Sequence, residues 1–200
     1  SNSYATGQVR GLDKVGGLVG NNFESVVNSY ANGNVIGHDS VGGLVGQNNF
    51  SSVITNAYAT GSIEGNNDVG GLTGNNFGTI SYSYALGFVS GNRNVGGLVG
   101  YNFDIVSHSF AFGDVKGNSY NVGGLVGSNG YSVKITNSFR YINQHIVDLN
   151  EKVTSPSDKE ISTVEDIDLL NRNWYKNQLG FDHAVWDLSV VDEGYFPIFN

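Results

Sequence analysis

Val15-Gly16-Gly17-Leu18-Val19-Gly20 returns four times along the chain, as Val41–Gly46, Val69–Gly74 (with Thr73 for the second Val), Val95–Gly100 and Val122–Gly127. Successive copies begin 26, 28, 26 and 27 residues apart. A near-constant period of this length marks a repeat array, in which no unit has enough apolar surface to stand alone and stacking supplies the core.

Aligning the copies on this block exposes a longer unit. Each opens with aromatic-Ala-x-Gly-x-Val/Ile-x-Gly, from Tyr4, Tyr30, Tyr58, Tyr84 and Phe110. Ala, Gly, Val/Ile and Gly fall on every second residue, the period of a strand with one small apolar face. At one aligned position of the other face stand Gln8, Asn34, Ser62, Phe88 and Asp114, the variation expected of solvent-facing sites. A polar turn rich in Asn and Gly follows, read as needing left-handed backbone. It is one residue longer in the fifth copy, at Asn118 to Asn121.

In the Val-Gly-Gly-Leu strand, Leu18, Leu44, Leu72, Leu98 and Leu125 are read as the repeat core, with the residue after each Leu facing outward. A second turn carries Asn22, Asn48, Asn76, Asn102 and Asn129, read as a structural ladder of stacked amides. An aromatic comes next, at Phe23, Phe50, Phe77, Phe103 and Tyr131, and a third short strand at Val26, Ile54, Ile80, Val106 and Ile135.

Three strands and three turns per repeat describe a coil of a parallel β-helix. The expected fold is therefore all-β, a right-handed parallel β-helix (β-solenoid) of about five coils, right-handedness being the rule for parallel crossovers. Composition divides the chain. Residues 1–139 hold 27 of the 29 glycines and a net charge of −2, and residues 140–200 hold the other 2 glycines and −6. The expected organisation is a solenoid over 1–139, a loop or connector over 140–160 and a capping segment over 161–200. Within that α+β cap, Ser162-Thr163-Val164-Glu165 reads as a capping box opening a short helix with Val164, Ile167, Leu170 and Trp174 on one face. The cap's role would be to cover the open end of the coils.

At this point the residues carry a resemblance. Ser-Tyr-Ala-x-Gly followed by Val-Gly-Gly-Leu-x-Gly resembles the GLUG-motif repeat of bacterial secreted and surface proteins, among them adhesin-like proteins and non-catalytic parts of some immunoglobulin-A proteases. The Trp186-Asp187-Leu188 … Gly194-Tyr195-Phe196-Pro197 ending is similar to segments that close such arrays. The resemblance implies an extracellular or cell-surface location and a stalk, spacer or adhesive role, and implies no reaction. The large aromatic at Phe23, Phe50, Phe77 and Phe103 departs from the small residue expected there.

The remaining chemistry is sparse. An acidic chain of net charge −8 without a basic stripe is a poor partner for nucleic acid, and no apolar run reaches membrane-span length, so neither nucleic-acid binding nor membrane insertion is expected. The lack of Cys fits a secreted protein without disulfides. The chain opens inside a repeat and shows no leader, as a processed product or a fragment would. His38, His108, His145 and His183 stand in unrelated settings, and Glu64, Asp104 and Asp114 do not align between repeats, so no catalytic residue is assigned. Asn66-Asn67-Asp68 with Asp13 or Asp39 offers too few carboxylates for calcium, and neither metal nor cofactor is expected.

The aromatic ladder has two readings. As an inward or corner stack it would hold coils together, the favoured arrangement; as an exposed platform it would bind sugar rings. The leading expectation is a non-enzymatic structural or adhesive segment, partnered by further coils or a second molecule at the first coil, with a carbohydrate-binding module as the alternative. A polysaccharide-active β-helix enzyme comes last.

Overall fold

The computed structural model describes residues 1–118, 121–131, 133–149, the backbone of 162–164, residue 169 and residues 171–200. It is an all-β parallel solenoid of about five coils with a small C-terminal cap. Coil pairs with coil in register, residue for aligned residue: Tyr30 pairs with Tyr58, Val41 with Val69 and Asn48 with Asn76.

Each coil has four walls where three were expected. The first sheet contains Tyr4–Ala5, Ser25–Ala31, Val53–Ala59, Thr79–Ala85, Phe110–Ala111 and Phe139–Tyr141. The second contains Val9–Arg10, Val35–Ile36, Ile63–Glu64, Val89–Gly91, Val115–Gly117 and Ile146–Val147. The Val-Gly-Gly-Leu block then supplies two sheets, one with Asp39–Gly42 and its equivalents, the other with Val45–Asn48 and its equivalents. The aromatic-Ala strand read from the sequence breaks between sheets at Gly33, Gly61, Gly87 and Gly113. There the backbone passes so close to the neighbouring coil that a Cβ on Gly87 would overlap the Gly61 carbonyl oxygen.

Crowding, not left-handed backbone, is what these corner glycines answer. Among the described residues the glycines with left-handed φ are Gly180 and Gly194, both outside the coils. The left-handed corners carry side chains instead, Ser51 singly and the others in two columns: Lys14, Ser40, Asp68 and Asn94, and Asn2, Asn28, Asn56, Tyr82, His108 and Asn137. Short polar side chains tolerate this conformation best, which fits most of both columns.

Inside the coils, Leu44, Leu72, Leu98 and Leu125 are fully buried, and Leu18 packs against them partly buried. The residues after them were expected outside, yet Val45, Thr73, Val99 and Val126 are equally buried, and Val19 is half-buried. The reason is a bend at Gly-Leu: the amides of Leu44 and Val45 both donate to the Leu72 carbonyl, so alternation is reset and two successive side chains point inward. A second apolar column, with Val15, Val41, Val69, Val95 and Val122 facing Val35, Ile63, Val89, Val115 and Ile146, fills the other half of the interior.

Coil pairing runs past residue 139. Phe139–Tyr141 and Ile146–Val147 extend the first two sheets, and Ser162–Val164 pairs with Phe139–Tyr141. Those last residues were read as a capping box, but they form a strand. The helix (α1) is Arg172–Asn177, N-capped by Asn171, whose side chain accepts from the Asn173 amide at 2.9 Å. Trp174 is on it as expected; Ile167, Leu170 and the loop read at 150–160 lie outside the described residues. Six residues do not hold a helix alone; α1 is held by burial of Trp174 and Tyr175.

The lumen is stopped by two side chains of the last partial coil. Arg140 replaces the Ala of the column, its Cδ beside Gly124, and Gln144 reaches inward to donate to the carbonyls of Gly113 and Gly124. Residue 169 and residues 171–200 therefore do a different job from the end-cover expected of them. They lie along the flank, over the outer face of the first sheet, where Trp174, Tyr175, Leu179, Phe181 and Trp186 cover Tyr58, Tyr84 and Phe110. A hairpin of Trp186–Asp187 with Ile198–Phe199 completes the cap. No helix among the described residues is long and apolar enough to cross a membrane.

Candidate functional site

In-register stacking turns every aligned residue into a column about 4.8 Å per step, so the columns are the candidate sites. The Asn column is buried structure. Asn22 donates to Asn48, Asn48 to Asn76 and Asn76 to Asn102 at 2.7–2.8 Å, and Asn102 reaches Asn129 at 3.4 Å. Their oxygens also hold the following turn, Asn76 accepting from the Gly78 amide. A ligand has no access to amides that are fully buried at Asn48, Asn76 and Asn102.

The tyrosine column is the bed for the cap. Tyr30, Tyr58, Tyr84 and Phe110 stack at 4.8–5.0 Å with interplanar angles of 2–16°, each pair worth about 0.5–1.5 kcal/mol beyond its burial. The Tyr84 hydroxyl donates to the Pro197 carbonyl at 2.5 Å, fastening cap to coil. Burial, with Tyr30 alongside, pushes the Tyr58 phenol up to about 12; burial also raises Tyr84 and Tyr175. Phenols of the unfolded chain ionise near pH 10. Their contribution to stability is therefore complete below about pH 10 and is lost as pH climbs from there through the folded values. Alkaline titration should show phenolate absorbance and circular dichroism of the fold changing together above pH 10; buried phenols ionising below that pH with the fold intact would contradict it.

The Phe column is at the surface, on a corner and not in the interior. Phe50 is 75 % exposed, Phe23 70 %, Phe103 37 % and Tyr131 98 %, with Phe77 half-buried. Phe77 and Phe103 stack at 4.8 Å and 19°, Phe50 leans on Phe77 at 5.1 Å and 42°, and Tyr101 meets Phe103 edge-on at 4.4 Å. The middle rings spend their faces on each other and turn edges to solvent. Free faces belong to the ends of the column.

Three arrangements were not read from the sequence. Tyr82 and His108 stack at 4.9 Å on the left-handed column, with His108 Nε2 3.0 Å from the Asn137 amide. Asp114 meets His145, its carboxylate accepting from the His145 backbone amide at 2.8 Å. Asp13, His38 and Asp39 converge within 4.8 Å of one another. Each joins residues of neighbouring coils; the repeat alignment sets Asp13 over Asp39 and Tyr82 over His108, but it gives no place to His145, past the last copy, and does not bring His38 to the two aspartates. Clefts of 420 Å³ each also lie beside Asp68, Arg93 and Tyr101 on the coils and beside Arg172, Lys176 and His183 on the cap.

Residues 37–64 and 91–116 match the GLUG motif family. Two of the repeats thus carry the GLUG motif. Both matches span the turn from the second sheet into Val-Gly-Gly-Leu and on to the next aromatic-Ala strand. No curated protein sequence matches the chain. Among solved structures, one of a "putative immunoglobulin A1 protease" from Bacteroides ovatus superposes with a TM-score of 0.68 at 22 % identity, covering 98 % of this chain and 68 % of that one. At that identity the likeness is of fold: the coils and their flanking cap share an architecture with that protein.

Proposed function

We propose that this chain is a non-enzymatic structural segment of an extracellular or bacterial cell-surface protein, an adhesive stalk, spacer or fibre element. One observation carries the reading. The residues common to all GLUG copies, the Leu, Asn, Tyr and Gly columns, are used to stack coil on coil, whereas the outward positions differ from coil to coil, as Gln8, Asn34, Ser62, Phe88 and Asp114 do. What is repeated serves length and stiffness. Among the described residues the strands of the first coil pair on one side only, so that edge offers backbone groups to another coil, from the same protein or a second molecule.

The test has two arms. Purified chain is incubated with immunoglobulin A1 and with a panel of polysaccharides, and examined by negative-stain electron microscopy and light scattering over a concentration series. No cleavage is expected of any substrate; catalytic turnover removed with the chain would overturn the reading. Filaments of constant width would assign the free edge to another molecule, and monodisperse particles would assign it to further coils of a longer protein.

A second reading, carbohydrate recognition, is favoured by the free ring faces at Phe23 and Tyr131. Phe23→Ala with Tyr131→Ala would abolish binding on a glycan array and leave melting unchanged; an array on which the parent chain binds nothing rejects it.

A further inference from the structure

On the outer face of the third sheet, stacking sets Asp13 in register with Asp39, two like charges one coil apart. Adjacent like charges destabilise a sheet, and the upper part of the same column avoids them: Asn67 pairs with Asp39 and Arg93 with Asn67. The Asn67 amide donates to Asp39 Oδ1 at 2.7 Å. The Asp13 carboxylate has no hydrogen-bond or ion-pair partner among the described residues, and neither Lys nor Arg pairs with Asp39.

His38 completes the group. Its Nδ1 lies 3.2 Å from Asp39 Oδ2, close to the separation of about 3.3 Å between neighbouring ligands on a tetrahedral zinc with bonds of about 2.0–2.1 Å. Its other nitrogen, Nε2, is 3.3 Å from the Asn66 side-chain amide nitrogen; an imidazole ligating through Nδ1 carries its proton on Nε2, which the Asn66 side-chain oxygen accepts once that amide turns over. The backbone is fixed from both sides. The amides of His38 and Asp39 donate to the Leu12 carbonyl below, and those of Asn66 and Asn67 donate to the His38 carbonyl above. Two anionic oxygens and one imidazole thus lie within 4.8 Å of one another at an exposed corner, at positions where the later coils carry Asn66 and Asn67, then Asn92 and Arg93.

We propose that Asp13, His38 and Asp39 form a binding site for a divalent transition-metal ion of the zinc class, with water completing the coordination. The nitrogen ligand and the three-donor count favour such an ion over calcium, which takes six to eight oxygens. Bound metal would bridge the first two coils and neutralise their stacked carboxylates.

The experiment is calorimetric titration of zinc chloride into the tag-free chain after chelator treatment, repeated with cobalt chloride while recording its visible absorption. One saturable site per chain is expected, with tetrahedral-type cobalt bands. His38→Ala and the isosteric Asp13→Asn should each weaken it about tenfold or more with the circular dichroism spectrum and melting temperature of the metal-free protein unchanged. His145→Ala should leave it intact. Absence of saturable binding, equal binding by His38→Ala, or loss in His145→Ala would each overturn the proposal. None of these readouts depends on whether the chain is a stalk, a glycan binder or an enzyme.

Discussion

Trp186→Ala should lower stability by about 3–5 kcal/mol, the range for truncating a buried large aromatic, and Tm by roughly 6–20 °C for a chain of this size. Trp186 is fully buried between cap and coils. Its ring stacks on Phe181 at 4.7 Å and meets Phe199, Tyr84 and Tyr58 at 4.6, 5.7 and 6.1 Å. Removing it opens the joint between hairpin, α1 and tyrosine column together. Calorimetry should then show the cap transition separating from that of the coils, because the coil interior, built on Leu44, Leu72 and Leu98, contains none of these residues. Trp186→Phe should cost distinctly less. The indole N–H is buried without an acceptor among the described residues, and losing an orphaned donor offsets part of the lost volume. A Trp186→Ala protein melting within 2 °C of the parent would show that the cap does not hold the flank.

Gly87→Ala should be the more severe change, costing more than about 4 kcal/mol and placing it in the exceptional tail of single substitutions. The new Cβ would overlap the backbone carbonyl of Gly61, with the Leu86 amide bonded to Ala59 on one side and the Phe88 carbonyl bonded to the Ile63 amide on the other. No rotamer relieves a Cβ clash, and moving the strand breaks those bonds. Gly7 supplies the control. It occupies the same column in the first coil, and a Cβ there meets nothing within 4 Å; Gly7→Ala should change stability by less than about 1 kcal/mol, toward stabilisation if anything. Chemical denaturation of the pair decides it. Equal effects would mean the column glycines are needed for conformation and not for space.

These two residues also mark what a sequence can carry. A period of 26–28 residues with five copies of Val-Gly-Gly-Leu is enough to require stacked coils, because each unit alone lacks a core. In-register stacking then follows for every aligned residue, which made the Leu, Asn and aromatic columns legible before any coordinate. The alternation Ala31, Gly33, Val35 correctly named the inward face, and it did so straight through the bend at Gly33. For that same reason it concealed the bend: period two records which side a residue faces and is blind to the direction of the wall, so two sheets read as one. At Gly-Leu the opposite happened, the bend resetting the alternation so that Val45, Thr73, Val99 and Val126 turned inward.

Capping depended on surfaces that do not exist until the coils are stacked. The aromatic ending and a plug for the last coil were both needed, but Arg140 and Gln144 stop the lumen, leaving Trp174, Phe181 and Trp186 for the tyrosine face. The exposure of Phe23, Phe50 and Tyr131 was likewise decided late. Their column is less regular than that of Tyr30, Tyr58 and Tyr84, with Phe50 and Tyr131 two residues after the column Asn where Phe23, Phe77 and Phe103 follow by one, and it is the tyrosines that the cap covers. The sequence by itself determined the coil, its columns and their family resemblance. The tertiary structure decided where the walls turn, which aromatic column is buried, and that Asp13, His38 and Asp39 meet, because corner geometry and lateral docking arise from contacts between units and leave no period in the chain.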